Sequence, residues 1–553
     1  MPELESRFEM KWYGWGSADI RYPVHQKPGI LSYLEETLGI TELTPSSPPD
    51  LSNMKIPDSS IPESLVETLK GELGSTLVSM DRRDRILHCL GKSYKDLLRL
   101  RSGKIEKGPD LILYPASAQD LPRIFQVCRK YRIAIVPFGG GTSVVGGVEP
   151  YKADFPFLAT VDLRRLKKVL SLDPASLIAH VEAGIFGPEL EEKLQSQGYT
   201  VGHYPQSFEF STLGGWIAAR SSGQNSLQYG GIEKIVQSID VLSPIGEVET
   251  LATPRMACGP DWKELFLGSE GCLGVITSAK IRIQPVPDEK LYFLSLFPDF
   301  KSAALACRKV TQKGLSAAML RASDEEETRA MMAMGRGMET LWSRAAKKFA
   351  RKYLELKNFD LSRFASVMVG LEGTARNNSR CKKKIRRIFQ EHGSVYLGTS
   401  PGEKWLKDRF FLPYLRDDFM DNGLLVDTLE TSTTWERLEE LYHGVRDAII
   451  SVLSKTSPCV VYTHISHLYP DGASLYFSIL ARQDPADPMA QWSEMKAAAN
   501  QKISSLGAAI SHHHGVGMDH KNSLHYGEVE KGLFQQVKAY LDPDGILNPG
   551  KML

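Results

Sequence analysis

A run of three glycines followed by two hydroxyl side chains is the pattern that most directly suggests chemistry in this sequence. It reads Pro137-Phe138-Gly139-Gly140-Gly141-Thr142-Ser143, and we name it the glycine loop. Successive glycines let the backbone turn with positive φ, so that consecutive N–H groups point into one concavity. Such a nest suits a pyrophosphate, and Thr142 and Ser143 add hydroxyl donors. The spacing fits neither a Walker A loop nor a Rossmann fingerprint. A glycine-rich β-turn without a ligand is the alternative.

Three adjacent histidines, His512, His513 and His514, form a second candidate site. Side chains alternate along an extended chain, so at most two of the three can face one ligand. Imidazoles suit a phosphate, either as charged donors or as neutral hydrogen-bond partners. An exposed loop of histidines and a metal site are the alternatives.

The elements that must position these residues alternate between strands and helices. The glycine loop follows an apolar segment, residues 133–136, that predicts a buried strand. The patterns predict further strands at 111–115 and 179–184, helices at 118–131 and 187–197, and a hairpin over 236–246. A helical, charged stretch spans 81–101, and strand and helix signals continue from 290 to 506. The glycine loop is therefore expected at the end of a buried strand.

Composition and charge describe an ordinary globular chain. Its 67 Lys and Arg against 66 Asp and Glu give a net charge of +1, which argues against a nucleic-acid partner. Seven cysteines include no Cys-x-x-Cys pair, so the sequence predicts neither a zinc site nor a disulfide framework and favours a reducing compartment. No apolar run approaches transmembrane length and the first residues lack a signal-peptide core, so we expect a cytoplasmic protein.

Two more clusters of glycine and hydroxyl residues follow the glycine loop. They read Gln206-Ser207-Phe208-Glu209-Phe210-Ser211-Thr212-Leu213-Gly214-Gly215-Trp216 and Gly268-Ser269-Glu270-Gly271-Cys272-Leu273-Gly274-Val275-Ile276-Thr277. In this order the three clusters resemble the FAD-binding domain of the vanillyl-alcohol oxidase / p-cresol methylhydroxylase (PCMH) superfamily. The resemblance implies that the first loop holds the pyrophosphate, while the other two line the flavin and the adenine ribose.

The resemblance implies non-covalent FAD. Many members attach the flavin through a histidine in or near the first loop, but residues 141–147 contain neither histidine nor cysteine. The implied cofactor contacts are Pro137, Phe138, Gly139, Gly140, Gly141, Thr142, Ser143, Gln206, Ser207, Ser211, Thr212, Gly214, Ala219, Ser221, Ser222, Gly268, Ser269, Glu270, Gly271, Leu273, Gly274, Val275 and Ile276.

The fold class implied by the resemblance is α+β. It combines a two-lobed PCMH-type FAD-binding domain with an α/β cap domain for the substrate and a helical N-terminal extension. We expect the extension at 1–104, the FAD-binding domain at 105–286, the cap at 287–507 and a segment returning to the flavin at 508–553.

Four further motifs are similar to the alkyldihydroxyacetonephosphate synthase family of ether-lipid biosynthesis. They read Lys11-Trp12-Tyr13-Gly14-Trp15-Gly16, Pro254-Arg255-Met256-Ala257-Cys258-Gly259-Pro260-Asp261, Leu429-Glu430-Thr431-Ser432-Thr433-Thr434-Trp435 and Ser511-His512-His513-His514-Gly515-Val516-Gly517. The resemblance covers nearly the whole chain. It implies an enzyme that exchanges the acyl group of acyl-dihydroxyacetone phosphate for a long-chain alcohol through an adduct at flavin N5, without net redox change.

This resemblance also assigns roles to single residues. Tyr476 matches the family's acid/base tyrosine, and its pKa must be perturbed if a phenol is to act as a base at neutral pH. His512, His513 and His514 are assigned to phosphate binding and acid/base work, since the family uses the whole cluster. For Tyr476 the alternative is a core tyrosine with a satisfied hydroxyl.

Two arginines match the family's substrate-binding arginines. Arg416 matches the phosphate-binding residue, and a guanidinium can make bidentate, charge-assisted bonds to phosphate oxygens. An ion pair with Asp417 or Asp418 is the alternative. Arg321 matches an arginine near the flavin, with a structural salt bridge as its alternative.

Two basic stretches bear on membrane contact. Residues 347–354 interleave cations with apolar residues, as in a helix that lies on a membrane surface, and the implied substrates are lipids. We therefore expect peripheral membrane contact there, whereas residues 380–388 favour a solvated helix face. The final Lys551-Met552-Leu553 lacks the small residue of a peroxisomal ending, which favours a cytoplasmic over a peroxisomal location. The family resemblance implies a homodimer.

Two rival functions remain. An FAD-dependent 2-hydroxyacid dehydrogenase, of the D-lactate or 2-hydroxyglutarate type, carries a His-x-Gly-Asp-Gly-Asn-Leu-His pattern and then Glu-His-Gly as metal ligands. Here Tyr476 replaces the second metal histidine and His513 replaces the glutamate, so we expect phosphate rather than a metal. The second rival is a flavoprotein that binds a lipid or partner without turnover, which the joint presence of Tyr476, Arg416 and the histidines opposes.

Overall fold

The computed structural model describes residues 9–335, 359–360 and 363–552, and the fold contains three main sheets. The first sheet has the order β1-β2-β4-β3, with β2, β4 and β3 parallel and β1 antiparallel. Its strands are β1 (Val78–Ser79), β2 (Leu111–Leu113), β3 (Ile133–Phe138) and β4 (Phe157–Asp162). The amphipathic helix Leu121–Lys130 buries its apolar face in the core of this sheet, which confirms the helix predicted there.

The second sheet is antiparallel and has the order β5-β6-β10-β8-β9. Its strands are β5 (Val169–Asp173), β6 (Ile178–Glu182), β8 (Val236–Ser243), β9 (Gly246–Glu249) and β10 (Val275–Arg282), while β7 (Tyr199–Thr200) pairs separately with β11 (Gln284–Pro285). The helices in this part of the chain are Gly187–Gln195, Leu213–Ala218, Ser226–Tyr229, Ile232–Ile235 and Trp262–Phe266. The strand, helix and hairpin predicted at 179–184, 187–197 and 236–246 are confirmed.

The third sheet, which we name the cap sheet, has seven antiparallel strands in the order β15-β12-β14-β13-β17-β18-β16. They are β12 (Glu289–Phe297), β13 (Met319–Ser323), β14 (Ala365–Gly373), β15 (Val395–Gly398), β16 (Leu424–Thr434), β17 (Cys459–Leu468) and β18 (Gly472–Arg482). The helices among the described residues of this part are Phe300–Gln312, Glu325–Gly335, Ala375–Glu391, Ser400–Asp408, Leu412–Met420, Leu438–Leu453 and Pro488–Ser505.

Side chains of the cap sheet alternate between two environments. Apolar residues such as Phe293, Val367, Leu320, Val461 and Phe477 point into the large core that the cap helices share. Their neighbours on the same strands point to the opposite face. The helices Glu325–Gly335 and Ser400–Asp408 contact part of that second face, and its remaining residues form one wall of the cavity that holds the candidate site.

Helices of the N-terminal part are distributed over both halves of the molecule. Pro28–Leu38 packs against the far edge of the cap sheet, Glu63–Leu73 packs on the first sheet, and Tyr94–Arg101 enters the cap core. The helical stretch predicted over 81–101 is two helices, Arg82–Leu87 and Tyr94–Arg101. They are separate because Ser93 caps the second helix, its hydroxyl accepting from the Asp96 N–H at 3.0 Å.

The chain returns to the first sheet at its end. After the helix Glu528–Leu541, Ile546 and Leu547 enter the core beneath β3. The Ile135 N–H donates to the Ile546 carbonyl at 2.7 Å, and the Asn548 N–H donates to the Ile135 carbonyl at 2.7 Å. This return holds the segment that contains the histidines close to the strand that leads into the glycine loop.

Only one of the two basic stretches lies within the described residues. Residues 347–354 lie outside the described residues. Residues 380–388 belong to the helix Ala375–Glu391, whose Ile385, Ile388 and Phe389 are buried in the cap core, which leaves the charged face toward solvent. Among the described residues, no helix combines the length and the hydropathy needed to cross a bilayer.

Candidate active site

A single cavity of about 810 Å³ lies between the glycine loop and the second face of the cap sheet, opposite the core that the cap helices share. Its walls include all seven residues of the glycine loop, together with Arg321, Arg416, Tyr476, His513 and His514. Residues that are more than three hundred positions apart in the sequence therefore meet at one site.

The glycine loop presents unused hydrogen-bond donors to this cavity. Within the described residues, the backbone N–H groups of Gly139, Gly140, Gly141, Thr142 and Ser143 donate to no protein acceptor. Gly141 has φ +67°, and a Cβ at Gly140 would collide with the Phe210 carbonyl. Buried backbone donors need partners, and a row of free N–H groups in a concave loop fits the oxygens of a pyrophosphate.

The second and third clusters lie on the same side of the cavity. Of the predicted cofactor residues, Gln206, Ser207, Ser211, Thr212, Gly214, Ala219, Ser221, Ser222, Glu270, Gly271, Gly274, Val275 and Ile276 line it. Three others do not. The Gly268 N–H donates to the Ile217 carbonyl, the Ser269 hydroxyl donates to the Phe266 carbonyl at 2.8 Å, and Leu273 is buried in the core of the second sheet. These three residues pack against the protein interior and hold the third cluster in place.

Residues 511–517, which we name the histidine segment, are held by two buried carboxylates. Glu430 on β16 accepts backbone N–H bonds from His512 at 2.6 Å, His513 at 2.9 Å and His514 at 2.9 Å, and a hydroxyl bond from Ser511 at 2.8 Å. The pKa of Glu430 lies well below its usual value: burial raises it, but the neighbouring His513 outweighs that effect. A permanent negative charge therefore sits directly under the three histidines.

Glu270 holds the other half of the histidine segment. Its carboxylate accepts from the Val516 N–H and from the Gly517 N–H at 2.8 Å. Gly517 has φ +51°, and a Cβ there would collide with the Val145 carbonyl next to the glycine loop. Glu270 was predicted as a cofactor contact, and it also positions the histidines against the loop.

Tyr476 lies on β18, on the face of the cap sheet that lines the cavity. Its ring stacks on His464 of β17 with centroids 4.9 Å apart, and His514 meets it edge-on at 5.5 Å. Burial raises the pKa of Tyr476 to about 12. The sequence suggested a base with a perturbed pKa, but this shift is upward, so at neutral pH the phenol is a proton and hydrogen-bond donor.

The histidines differ in their access to the cavity. Burial lowers the pKa of His514 to about 3, so its imidazole is neutral at neutral pH and is a hydrogen-bond partner rather than a strong base. His513 faces the cavity, and its Nδ1 lies 3.4 Å from Glu430. His512 does not line the cavity, because it turns to Tyr469, whose hydroxyl lies 2.6 Å from His512 Nε2.

Arg321 has the salt bridge that was considered as its alternative. Its Nη2 atom lies 2.9 Å from Glu327 Oε1, and the same oxygen lies 2.9 Å from His464 Nδ1. Arg321 nonetheless lines the cavity, and its buried Nε atom donates to no described protein group. The pair with Glu327 orients the guanidinium beside Tyr476 and leaves the buried Nε without a described partner.

Arg416 retains two free donors. Its Nη1 donates to the Lys92 carbonyl at 2.8 Å, whereas its buried Nε and Nη2 donate to no described protein group. Asp417, the partner considered above, instead accepts from Lys11 at 3.0 Å and Arg101 at 3.3 Å. Two adjacent unpaired donors on one guanidinium match a bidentate bond to phosphate oxygens.

Two sets of side chains in this site meet the distance requirement for a metal, namely His467, His512 and His513, and Glu430, His513 and His514. Several of the atoms that would bind a metal already have hydrogen-bond partners. His467 Nε2 lies 3.3 Å from the Gly223 carbonyl and its Nδ1 lies 2.9 Å from the Ser466 hydroxyl, while Glu430 accepts four hydrogen bonds from Ser511 and the three histidine N–H groups. This arrangement favours a hydrogen-bonded cluster, and the expectation of no metal stays a prediction.

Two apolar regions flank the polar centre of the cap sheet. Toward β12 and β14, the cavity wall carries Leu294, Leu296, Met319 and Met368. Toward β16 and β18, it carries Val426 and Leu480, and the helices Pro28–Leu38 and Leu412–Met420 add Ile30, Leu415 and Phe419. We name these regions the β12 wing and the β16 wing. Each offers an apolar surface of the kind that buries an alkyl chain.

Sequence reasoning missed several residues that build this site. Glu430 appeared only as a letter in a motif, and His467 only in the comparison with a metal pattern. His464 and Glu327 carried no signal, because their roles depend on which strands are neighbours in the cap sheet.

Comparison with known proteins agrees with this geometry. Two family models match the chain: an FAD binding domain over residues 109–252, and the C-terminal domain of FAD linked oxidases over residues 286–552. Substrate-bound p-cresol methylhydroxylase has the same fold, with a TM-score of 0.63 over 88% of this chain and 96% of that chain, at 15% identity. The fold and the site thus define an FAD-binding protein of the PCMH type, which confirms the predicted fold class and cofactor.

More similar proteins narrow the class. The alkyldihydroxyacetonephosphate synthase of Trypanosoma brucei brucei is 32% identical over 99% of this chain and 92% of its own length. A solved structure of an alkyldihydroxyacetonephosphate synthase matches with a TM-score of 0.83 at 29% identity, over 99% of this chain and all of that one. The chain belongs to the alkyldihydroxyacetonephosphate synthase family.

Proposed function

We propose that this enzyme exchanges the acyl group of acyl-dihydroxyacetone phosphate for a long-chain alcohol, giving the ether and a free fatty acid. The observation that carries the proposal is the layout of the cavity. Proton-transfer groups and a free guanidinium occupy its centre, and an apolar wing lies on either side. A substrate pair with one phosphate and two long chains requires this combination.

The residues present fit FAD. The free N–H groups of the glycine loop suit its pyrophosphate, and the second and third clusters line the neighbouring wall. When bound, the flavin supplies the nucleophilic centre that receives the substrate carbon. We infer that no covalent bond joins FAD to the protein, so that acid precipitation leaves the yellow cofactor in the supernatant.

The exchange is balanced without an oxidant or a reductant. The ester C–O bond at the dihydroxyacetone carbon breaks, and the fatty acid leaves with both carboxyl oxygens. The alcohol oxygen then bonds to that carbon and releases its proton. His513, which faces the cavity beside Glu430, can accept the proton, and neutral Tyr476 can donate a hydrogen bond to the departing carboxylate.

The phosphate is assigned to Arg416. Its two free donors are buried, and a buried donor without a partner is costly until a ligand satisfies it. A guanidinium that holds the phosphate would fix the reacting carbon relative to Tyr476 and the histidines, since orientation lowers the barrier of the later steps.

The test is incubation of the yellow protein with palmitoyl-dihydroxyacetone phosphate and hexadecanol, with products followed by mass spectrometry and an electron-accepting dye present. The proposal predicts hexadecyl-dihydroxyacetone phosphate and palmitate in equal amounts, with no dye reduction. Dye reduction by a 2-hydroxyacid would instead support a dehydrogenase. Absence of both reactions would support a binding protein.

The proposed substrates are lipids, and we infer that the enzyme contacts a membrane surface through residues 347–354 and acts as a homodimer. Neutralising Lys347, Lys348, Arg351 and Lys352 is expected to lower co-sedimentation with anionic vesicles, and unchanged co-sedimentation would contradict the contact.

Light scattering is expected to give twice the chain mass of 61.6 kDa, whereas a single chain mass would contradict the dimer.

A further inference from the structure

Lys92 lies where three functional parts of the molecule meet. Its backbone N–H donates to the carbonyl of Ser143, the last residue of the glycine loop, at 2.6 Å. Its own carbonyl accepts from Arg416 Nη1 at 2.8 Å. Its ammonium group donates to the carbonyls of Lys11 and Trp12, at 3.2 Å each. Lys92 thus connects the glycine loop, the Arg416 guanidinium and residues 11–16, which we name the N-terminal motif.

Among the described residues, the Lys92 ammonium has hydrogen-bond acceptors only in this N-terminal motif. The residue is 6% exposed, and burial lowers its pKa to about 7. Burying an ammonium group costs free energy unless hydrogen bonds compensate, and two backbone carbonyls supply them here. The backbone of residue 92 is therefore held in place partly through the far end of its own side chain.

The N-terminal motif is itself anchored beside Arg416. The Lys11 ammonium lies 3.0 Å from Asp417, the Trp15 N–H donates to Asp417 at 2.6 Å, and the Tyr13 carbonyl accepts from Arg101. Asp417 is 2% exposed and directly follows Arg416 in the helix Leu412–Met420. These bonds join residues 11–16 to the helix that carries the guanidinium.

Arg416 depends on Lys92 for its position. The bond from Nη1 to the Lys92 carbonyl uses one edge of the guanidinium, and the buried Nε and Nη2 of this cavity-lining residue have no described partner. A movement of the residue 92 carbonyl would rotate the free edge away from a phosphate, and it would also alter the contact with Ser143. Bidentate recognition is sensitive to such a rotation because both bonds require one plane.

We infer that Lys92 is a positioning residue that sets the selectivity of this site for phosphorylated ligands, by holding Arg416 at a fixed place relative to the glycine loop. This inference rests on the proposed function, since it assumes that Arg416 receives the phosphate. It adds a role for the Lys11-to-Gly16 motif, which anchors the Lys92 ammonium without touching the phosphate.

The experiment compares binding of two ligands in the absence of fatty acid: hexadecyl-dihydroxyacetone phosphate, the proposed product, and hexadecyl-dihydroxyacetone, which differs only in lacking the phosphate. Calorimetry gives their dissociation constants for the flavin-loaded wild type and for Lys92→Met. The expected result is a rise of about tenfold in the dissociation constant of the phosphorylated ligand alone, which corresponds to about 1.4 kcal/mol. Lys551→Met is the matched control, because that buried lysine also donates to a backbone carbonyl, that of Glu149 at 2.7 Å, but is not bonded to Arg416.

An unchanged ratio of the two constants in Lys92→Met, or the same change in Lys551→Met, would overturn the inference. If Lys92→Met fails to fold, Lys92→Gln, which keeps amide donors, takes its place and is expected to show a smaller loss in the same direction, and an unchanged ratio again overturns the inference. A wild type that does not prefer the phosphorylated ligand would contradict the role of Arg416 itself. A wild-type preference that is undiminished in Lys92→Met would contradict only the role of Lys92, and parallel exchange assays report on the proposed function separately.

Discussion

Glu430 is the residue on which the geometry of the histidines depends. Its two oxygens accept bonds from four successive residues of the histidine segment, so the carboxylate fixes the backbone and the charge beneath the imidazoles at once. The sequence did not reveal this role, because Glu430 and His512 are 82 positions apart and meet only through the pairing of the chain at Ser432 and Ala509.

Glu430→Gln tests this dependence. An amide has a single acceptor oxygen and adds an N–H donor among N–H donors, so we expect a loss of roughly 2–4 kcal/mol in the free energy of unfolding and at least a hundredfold loss of exchange rate. Urea unfolding and turnover per bound flavin measure the two effects. Glu372→Gln is the control, since Glu372 is a buried carboxylate that binds Tyr229 and Tyr292 instead of the histidines. An equal loss of turnover in both variants would contradict the account.

Tyr476 is expected to act as a proton donor, since burial holds the pKa of its phenol at about 12. Tyr476→Phe removes the phenolic hydroxyl and retains the ring that stacks on His464. We expect the FAD content to be unchanged and kcat to fall a hundredfold or more, which is the usual contribution of general acid catalysis. Tyr462→Phe, on the neighbouring strand β17, removes a hydroxyl bonded to Tyr33 and is expected to change kcat less than about threefold. Full activity in Tyr476→Phe would remove the phenol from the mechanism.

At the scale of elements, the cap sheet decides the shape of the cavity. Alternation along each strand sends one set of residues to the helices and the other set to the site. The sequence predicted the strand before the glycine loop, because a buried strand leaves a local apolar pattern. It did not predict the strand order β13-β17-β18, which brings Arg321, His464 and Tyr476 side by side, because strand order depends on contacts between distant segments.

The two wings of the cavity are expected to accept one chain each. Met368→Trp narrows the β12 wing and Leu480→Trp narrows the β16 wing, since both side chains line the cavity. We expect one variant to shorten the longest acyl chain accepted and the other to shorten the longest alcohol, measured as kcat/KM over two series of increasing chain length. Leu397→Trp, at an exposed position on β15, is the control and is expected to leave both series unchanged. Parallel shortening of both chains by each variant would show that the wings are not separate.

At the scale of the whole molecule, the site is closed by parts from both ends of the chain. The N-terminal motif borders Arg416, while the C-terminal return carries the histidine segment to the glycine loop. Family resemblance in the sequence predicted the fold class and most of the cavity-lining cofactor residues. Gly268, Ser269, Leu273 and His512 could not be separated from their neighbours in this way, because a motif does not state which of its side chains turn inward.

Buried histidines are expected to make the whole fold sensitive to acid. Burial lowers the pKa of His203, His514 and His520 to about 3 each, below the value of about 6.5 in an unfolded chain. Between these values the unfolded state binds protons that the folded state does not, so stability is present above about pH 6.5 and falls as the pH drops toward 3. Each such histidine contributes up to about 1.4 kcal/mol per pH unit.

Urea unfolding at a series of pH values from neutral to mildly acid measures this effect. His520→Gln is expected to reduce the slope of the unfolding free energy with pH, because it removes one buried imidazole away from the cavity wall. His443→Gln, at an exposed position, is the control and is expected to leave the slope unchanged. A stability that is flat across this range would contradict the buried, neutral state of the histidines.

The central claim is that the cavity joins an alcohol to the dihydroxyacetone carbon while the fatty acid leaves intact. The most direct test is one turnover series with hexadecanol labelled with ¹⁸O and unlabelled palmitoyl-dihydroxyacetone phosphate, read by mass spectrometry. The account predicts that all of the label is in the ether product and none is in the released palmitate. Label in the palmitate fraction, or products formed only when a dye is reduced, would contradict it.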